Sequence, residues 1–231
     1  ADAIEIARLG GIRLNLLTDD AETVKALDAA AVDAGLQFDV FVKIDCGTHR
    51  VGVETHAAEA VEIPRSITNS RKLKFAGLLT HAGHSYNARS KDEILLAARH
   101  ERDSMVGLAE RLRSQSIEVP TVSIGSTPTM STIDNLDGID EIRPGNYIFF
   151  DNFQATLGSC LFADTALTVL TAVIHKDHTR RRIVVDAGAV ALSKDRGPVG
   201  IDPSCGYGRV LDIEGNETGM RVTGLSQEHG E

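Results

Sequence analysis

Residues 40–53 read Val-Phe-Val-Lys-Ile-Asp-Cys-Gly-Thr-His-Arg-Val-Gly-Val. Val40 to Ile44 is a short, largely apolar and β-branched run, which reads as a buried strand. Lys43 and Asp45 then fall on one face by the two-residue period of a strand. Charges aimed into an interior must pair or find polar partners, because an unpaired buried charge is expensive. Arg50 follows the turn at Gly47 and can swing back over the end of the strand. A structural salt bridge between Lys43 and Asp45 is the plain reading. The spacing K-x-D-x-G-x-x-R-x-G favours a functional one.

Outward from this stretch, apolar runs alternate with helical patterns. The further strand candidates are Arg13 to Leu17, Phe75 to Thr80, Thr121 to Ile124 and Ile142 to Phe149. Asp20 to Ala34 is amphipathic, with Thr18 or Asp19 as its N-cap. Lys91 to Gln115 is long, charged and periodic, and reads as a surface helix. Strands separated by helices imply βαβ units and a parallel sheet. After about Leu157 the texture changes. Thr165 to Lys176, Arg181 to Asp186, Gly208 to Ile213 and Met220 to Leu225 are β-like, joined by Gly-rich turns, with no helical pattern among them. The fold expected is α/β: part of a TIM-type (β/α)8 barrel over residues 1–156, then a smaller all-β domain over 157–231.

With 42% hydrophobic and 25% charged residues the composition is that of a globular protein. A net charge of −9 argues against nucleic acid or an anionic membrane surface as partner. Cys46, Cys160 and Cys205 are scattered and odd in number, so a disulfide framework is not expected and a reducing cytoplasm is. No apolar run is long enough to span a bilayer. The first nine residues carry three charges and no signal-peptide core. The chain starts without Met and in mid-pattern, so both ends are expected to be cuts.

In α/β barrels the working residues sit where strands end. Past strand three come Thr-His-Ala-Gly-His-Ser-Tyr, residues 80–86. His81 could stack on a flat ring, and Tyr86 could transfer a proton. Zinc binding by His81 and His84 lacks a third ligand nearby. Past strand four, Gly-Ser-Thr-Pro-Thr, residues 125–129, offers hydroxyls and backbone N–H groups suited to a phosphate. It lacks a P-loop lysine, which argues against nucleoside triphosphate chemistry. A plain capped turn is the alternative. In Arg-Pro-Gly-Asn-Tyr, residues 143–147, Gly145 permits close approach of a ligand and Arg143 can reach inward.

These clusters, in this order, resemble the pyridoxal 5'-phosphate (PLP) dependent enzymes of the alanine racemase fold, and within them the D-serine dehydratase and D-threonine aldolase group. Val-Val-Asp-Ala-Gly-Ala-Val-Ala-Leu-Ser-Lys-Asp, residues 184–195, adds to the likeness, which covers essentially the whole chain. The resemblance implies that Arg50, steadied by Lys43, reaches the cofactor or a substrate carboxylate. It implies that His81 lies against the pyridine ring and that Ser126 and Thr127, with the backbone of Gly145 and Asn146, hold the phosphate beside Tyr147. Arg143 would face the pyridine nitrogen and keep it unprotonated, since like charges disfavour protonation. Tyr86 would move a proton near the leaving group.

The departures are as telling. The racemases' second base is a tyrosine in a segment not found here; Tyr207 lies in Gly-Tyr-Gly, in an unmatched context. None of the seven lysines (25, 43, 72, 74, 91, 176 and 194) matches the one that carries PLP covalently in this group. The group's metal ligands are likewise expected outside this chain, His229 resembling a segment upstream of them. The activity implied is therefore that of a PLP-dependent lyase of D-β-hydroxy amino acids, a D-serine dehydratase with a divalent metal, zinc, working as a homodimer. The alternatives are retro-aldol cleavage of D-threonine type and a non-catalytic PLP carrier, against which residues 157–231 speak. The chain by itself is expected to be inactive.

Overall fold

The computed structural model describes residues 2–231. By contact density it divides into two compact units: Ala1–His84 with Leu95–Pro144, and Ser85–Ile94 with Gly145–Glu231.

The first unit opens with α1 (Asp2–Arg8), β1 (Asn15–Thr18), α2 (Ala21–Ala34), β2 (Phe38–Asp45), β3 (Val53–Glu54), α3 (Glu59–Thr68) and β4 (Leu73–Leu79). After α4 (Lys91–Ser114) come β5 (Val122–Ile124), α5 (Thr127–Thr132) and β6 (Glu141–Ile142). The sheet order is β1-β2-β4-β5-β6, with β3 beside β2, and every pairing is parallel. This is the expected arc of helix–strand units. Val40, Val42 and Ile44 alternate onto one core with Leu73, Phe75, Leu78, Val122 and Ile124, against Met105, Leu108 and Leu112 of α4. β4 carries one extra residue: Val40 pairs with Phe75, but Phe41 pairs with Gly77. Gly77 has φ +146°, and a Cβ there would lie 2.0 Å from the Thr121 carbonyl oxygen. Only glycine lets β4 meet β5 so closely.

Several local expectations need correction. The cap of α2 is Asp20, whose carboxylate accepts the Thr23 N–H at 2.7 Å. Thr18 instead accepts the Asp20 N–H at 3.2 Å, and Asp19 accepts that of Gly52 at 2.8 Å. Strand five ends at Ile142 rather than Phe149. Pro144 has no N–H to give a ladder, and residues 146–148 form a 3₁₀ turn in which Phe150 N–H reaches the Asn146 carbonyl. α4 is more than a surface helix, for Ala98, Glu101, Met105 and Leu112 are all fully buried.

The second unit holds α6 (Asn152–Leu157), β7 (Val173–Asp177), β8 (Arg182–Val185), α7 (Ala189–Leu192), β9 (Arg209–Leu211) and β10 (Glu217–Arg221). β7 pairs β8 and β9 pairs β10, both antiparallel. Its strands are shorter than the apolar runs suggested, and α7 interrupts the all-β texture. A small core joins Ile94, Ala88 and Leu157, with Tyr86 and Phe153 against it. That packing groups α6 and residues 85–94 with the β part, whereas the sequence put the domain boundary at residue 157. Among the described residues no helix is long and apolar enough to cross a membrane.

Candidate functional site

Strand pairing in the first unit fixes which side chains share a face. Lys43 pairs with Leu79, Leu79 with Ser123, and Ser123 with Glu141. This row lies opposite the face that carries Val42, Leu78, Val122 and Ile124 into the core. Two residues further along come Asp45, the last residue of β2, and His81, Gly125 and Arg143, just past the ends of β4, β5 and β6. Thr80 N–H still reaches Ser123 O at 3.0 Å, and Arg143 N–H reaches Ile124 O at 2.9 Å, so the ladder carries on to this level. Four of the strand ends singled out in the sequence thus converge on one edge of the sheet.

Each of these groups is held in place. Arg143 Nε donates to Ser123 Oγ at 2.7 Å and its Nη2 to the Thr80 carbonyl; the Glu141 carboxylate lies 3.7 Å away. His81 Nδ1 meets the Gly125 carbonyl at 2.9 Å, which fixes the ring plane and assigns a proton to Nδ1. Thr48 Oγ1 donates to the His81 carbonyl at 2.9 Å, tying the β2 loop to the β4 loop. His84 sits beside it, its pKa pushed down by burial and by the charge of His100.

Lys43 and Asp45 do not pair, contrary to the plain reading of their spacing. Asp45 collects the N–H groups of Gly47, Thr48 and His49 at 2.9–3.1 Å and the His49 ring at 3.0 Å. Burial works against its charge, but the Gly47 and His49 bonds outweigh burial and hold its pKa below the usual carboxylate value. Lys43 is 9% exposed, and its pKa is lowered first by burial, then by the charges of Arg143 and Arg50. Lys43 therefore does not steady Arg50 by attraction; the two repel. Arg50 itself is exposed.

Ser126 is the N-cap of α5: its hydroxyl accepts the Thr129 N–H, and Thr129 Oγ1 accepts the Ser126 N–H at 3.1 Å. Ser126, Thr127 and Thr129 are all buried. The group that sequence reading missed is Glu101, fully buried on α4. It accepts the N–H groups of Ala82 and Gly125 on one oxygen, each at 3.0 Å, and the Thr129 hydroxyl on the other at 3.0 Å. Burial pushes its pKa up, and those three bonds resist the rise. A signal was present: Glu101 falls three residues after Ala98 and four before Met105, in the apolar stripe of the helix.

In the second unit, Tyr86, Asn146, Asp151, Gln154, Lys194 and Tyr207 line one cavity of about 530 Å³. Asn146 Nδ2 donates to Asp151 at 2.7 Å, and Asp151 caps α6 through the Gln154 N–H at 2.8 Å. The Tyr86 ring leans on Phe153, centroids 5.9 Å apart. Tyr147 is exposed, and a Cβ on Gly145 would meet nothing within 4 Å. Among the described residues no group of three or more His, Cys, Asp or Glu could hold a metal.

The first unit is thus a parallel α/β sheet with cations, a fixed imidazole and a capped hydroxyl turn gathered at its C-terminal edge, where α/β proteins of this kind place their sites. The comparisons then place it. The profile of the alanine racemase N-terminal domain matches residues 2–153, and that of a serine dehydratase domain matches residues 166–231. The chain belongs to the alanine racemase-fold group of PLP-dependent enzymes. It is 36% identical to D-threo-3-hydroxyaspartate dehydratase of Delftia sp. over 96% of this chain and 59% of that protein. The solved structure of the Delftia enzyme superimposes with a TM-score of 0.93, over 99% of this chain and 60% of that one. D-serine dehydratase of Dictyostelium discoideum is 34% identical over 94% of this chain and 57% of its own length. The structure of D-threonine aldolase from Filomicrobium marinum is 26% identical, with a TM-score of 0.76 over 99% of this chain and 59% of that one. The chain thus spans about three fifths of the length of these relatives.

Proposed function

We propose that the protein carrying this chain is a PLP-dependent lyase of D-β-hydroxy amino acids, working as a D-serine dehydratase does. The observation that supports it most is the cation set at the C-terminal edge of the sheet. Burial first, then the charges of Arg143 and Arg50, lower the proton affinity of Lys43, and an anion among the three relieves that repulsion. A phosphate and a substrate carboxylate are such anions, so the donor set fits PLP.

Bound PLP would supply an electron sink for the carbanion left when the α-proton departs. The chain's own residues would do the rest. His81, held by Gly125, would lie flat against the pyridine ring. Arg143 would face the ring nitrogen as a fixed cation and oppose its protonation. Ser126 and Thr127 would hold the phosphate, and Arg50 would reach the substrate carboxylate. In the second unit, Gly145, Asn146 and Tyr147 would contact the cofactor, and Tyr86 would hold or move a proton near the leaving hydroxyl.

A divalent metal, zinc, is proposed for the full-length enzyme with ligands outside this chain; no step above runs through it. A metal-free form is described for a variant of the Delftia relative, which supports looking for one. We further infer a homodimer and a cytoplasmic setting, the latter supported by three free cysteines. The likeness to D-threonine aldolase supports a second reading, cleavage to glycine and an aldehyde. The full-length protein incubated with D-serine and D-threonine separates the two: pyruvate and ammonia from D-serine are expected, and glycine as sole product would give the aldolase instead. Failure of added PLP to bind, read by its absorbance, would refute both.

A further inference from the structure

Glu101 is a carboxylate where the stripe of α4 calls for leucine. A buried carboxylate costs several kcal/mol unless its oxygens are satisfied (order of magnitude). Here every hydrogen bond it accepts comes from a segment that carries a site residue. Ala82 follows His81. Gly125 supplies the carbonyl that holds the His81 ring. Thr129 closes the cap turn that contains Ser126 and Thr127. One oxygen bridges the ends of β4 and β5, and the other holds the turn after β5.

We propose that Glu101 is a positioning residue that sets the distance between the ring-facing histidine and the phosphate-facing turn, so that both ends of one cofactor are met at once. The proposal rests on the PLP reading. A rigid ligand that spans two subsites binds well only if their separation matches its own length. The phosphate and the pyridine ring belong to one molecule, so a shift of α5 against His81 weakens PLP while leaving each half-site intact. A ligand that touches only the ring side does not sense that separation. Replacement of Glu101 by Gln keeps an oxygen for the two N–H groups but turns an NH₂ toward Thr129. The Thr129 hydroxyl then loses its carboxylate acceptor and must turn its proton toward Ser126, whose Oγ and carbonyl lie 3.0 and 3.3 Å away, which alters the cap.

The test uses the full-length protein, titrated with PLP and separately with pyridoxal, which lacks the phosphate. Glu101→Gln should weaken PLP about tenfold, the loss expected for one charge-assisted bond, with pyridoxal changed less than about twofold. Thr129→Val, which removes the phosphate-side arm together with the acceptor of the Ser126 N–H and guards against a Glu101 variant that fails to fold, should weaken PLP about fivefold and leave pyridoxal alone. In the double variant Thr129→Val should cost less than the roughly fivefold it costs alone, because both changes break the Glu101–Thr129 linkage. Equal loss of PLP and pyridoxal would mark a merely structural role and overturn the proposal, as would unchanged PLP affinity in both single variants. Absence of PLP binding by the wild-type protein would overturn the PLP reading and this proposal with it. Wild-type binding with unaltered variants overturns the Glu101 role alone.

Discussion

Gly77→Ala separates backbone strain from strand contact. Two costs add. A non-glycine residue at positive φ costs about 1–2 kcal/mol. In addition, the new Cβ would stand 2.0 Å from Thr121 O, so β4 and β5 must part by more than an ångström. That move strains the Leu78 N–H to Thr121 O bond of 2.9 Å and the Thr80 N–H to Ser123 O bond of 3.0 Å. At about 1 kcal/mol for each bond, the total is about 3–4 kcal/mol, a large share of the roughly 5–15 kcal/mol that holds a domain together. Gly35→Ala is the control: it too has positive φ, +70°, but its Cβ would meet nothing within 4 Å. It should cost about 1–2 kcal/mol, the strain alone. Urea unfolding of both variants in the full-length protein, with unchanged m-values, gives the two numbers. Equal losses for Gly77→Ala and Gly35→Ala would refute the close approach of the strands.

Three further outcomes are expected. Arg143→Gln removes a cation held by Ser123 and Thr80, and PLP titration should show affinity about tenfold weaker; unchanged affinity would remove Arg143 from the site. Asp45 has its pKa lowered on folding, so its contribution is present above its unfolded value near 3.8 and is lost as pH falls through the folded one. Asp45→Asn should therefore flatten the acid side of a stability-versus-pH curve by at most one proton, roughly 1.4 kcal/mol per pH unit as the ceiling, and a slope identical to wild type would sink the assignment. Burial pushes the Cys46 thiol up to about 11, so at pH 8 about one molecule in a thousand is thiolate. Mass spectrometry after native alkylation should find Cys46 unmodified, and rapid labelling would show the site open.

The strand ends were legible because their chemistry is written in short, dense clusters: Thr-His-Ala-Gly-His and Gly-Ser-Thr-Pro-Thr fall directly after β4 and β5. What the sequence hid has physical causes. Tyr147, Ile148 and Phe149 look like strand but stand 52–62% exposed, because Pro144 breaks the ladder before them. α3 carries Pro64 within its span, which masks a helix whose Ile63 and Ile67 are buried. Glu101 is one charge among many on a long helix, and only its register distinguishes it from solvated neighbours. Lys43 and Asp45 share a face as their spacing requires, yet spacing cannot tell attraction from separate solvation, and the turn at 47–49 captures Asp45 first.

The extra residue in β4 settles a question of parity. Leu73 and Phe75 face the apolar layer, and unbroken alternation would send Leu79 and His81 after them. The pairing of Phe41 with Gly77 skips one step, so Leu78 takes the apolar side and the odd-numbered positions beyond it change sides. An imidazole that counting by twos would bury among methyl groups is delivered instead to the face shared by Lys43 and Arg143. Were the strand regular at its present length, with Ala76 opposite Phe41, that imidazole would point into the apolar layer.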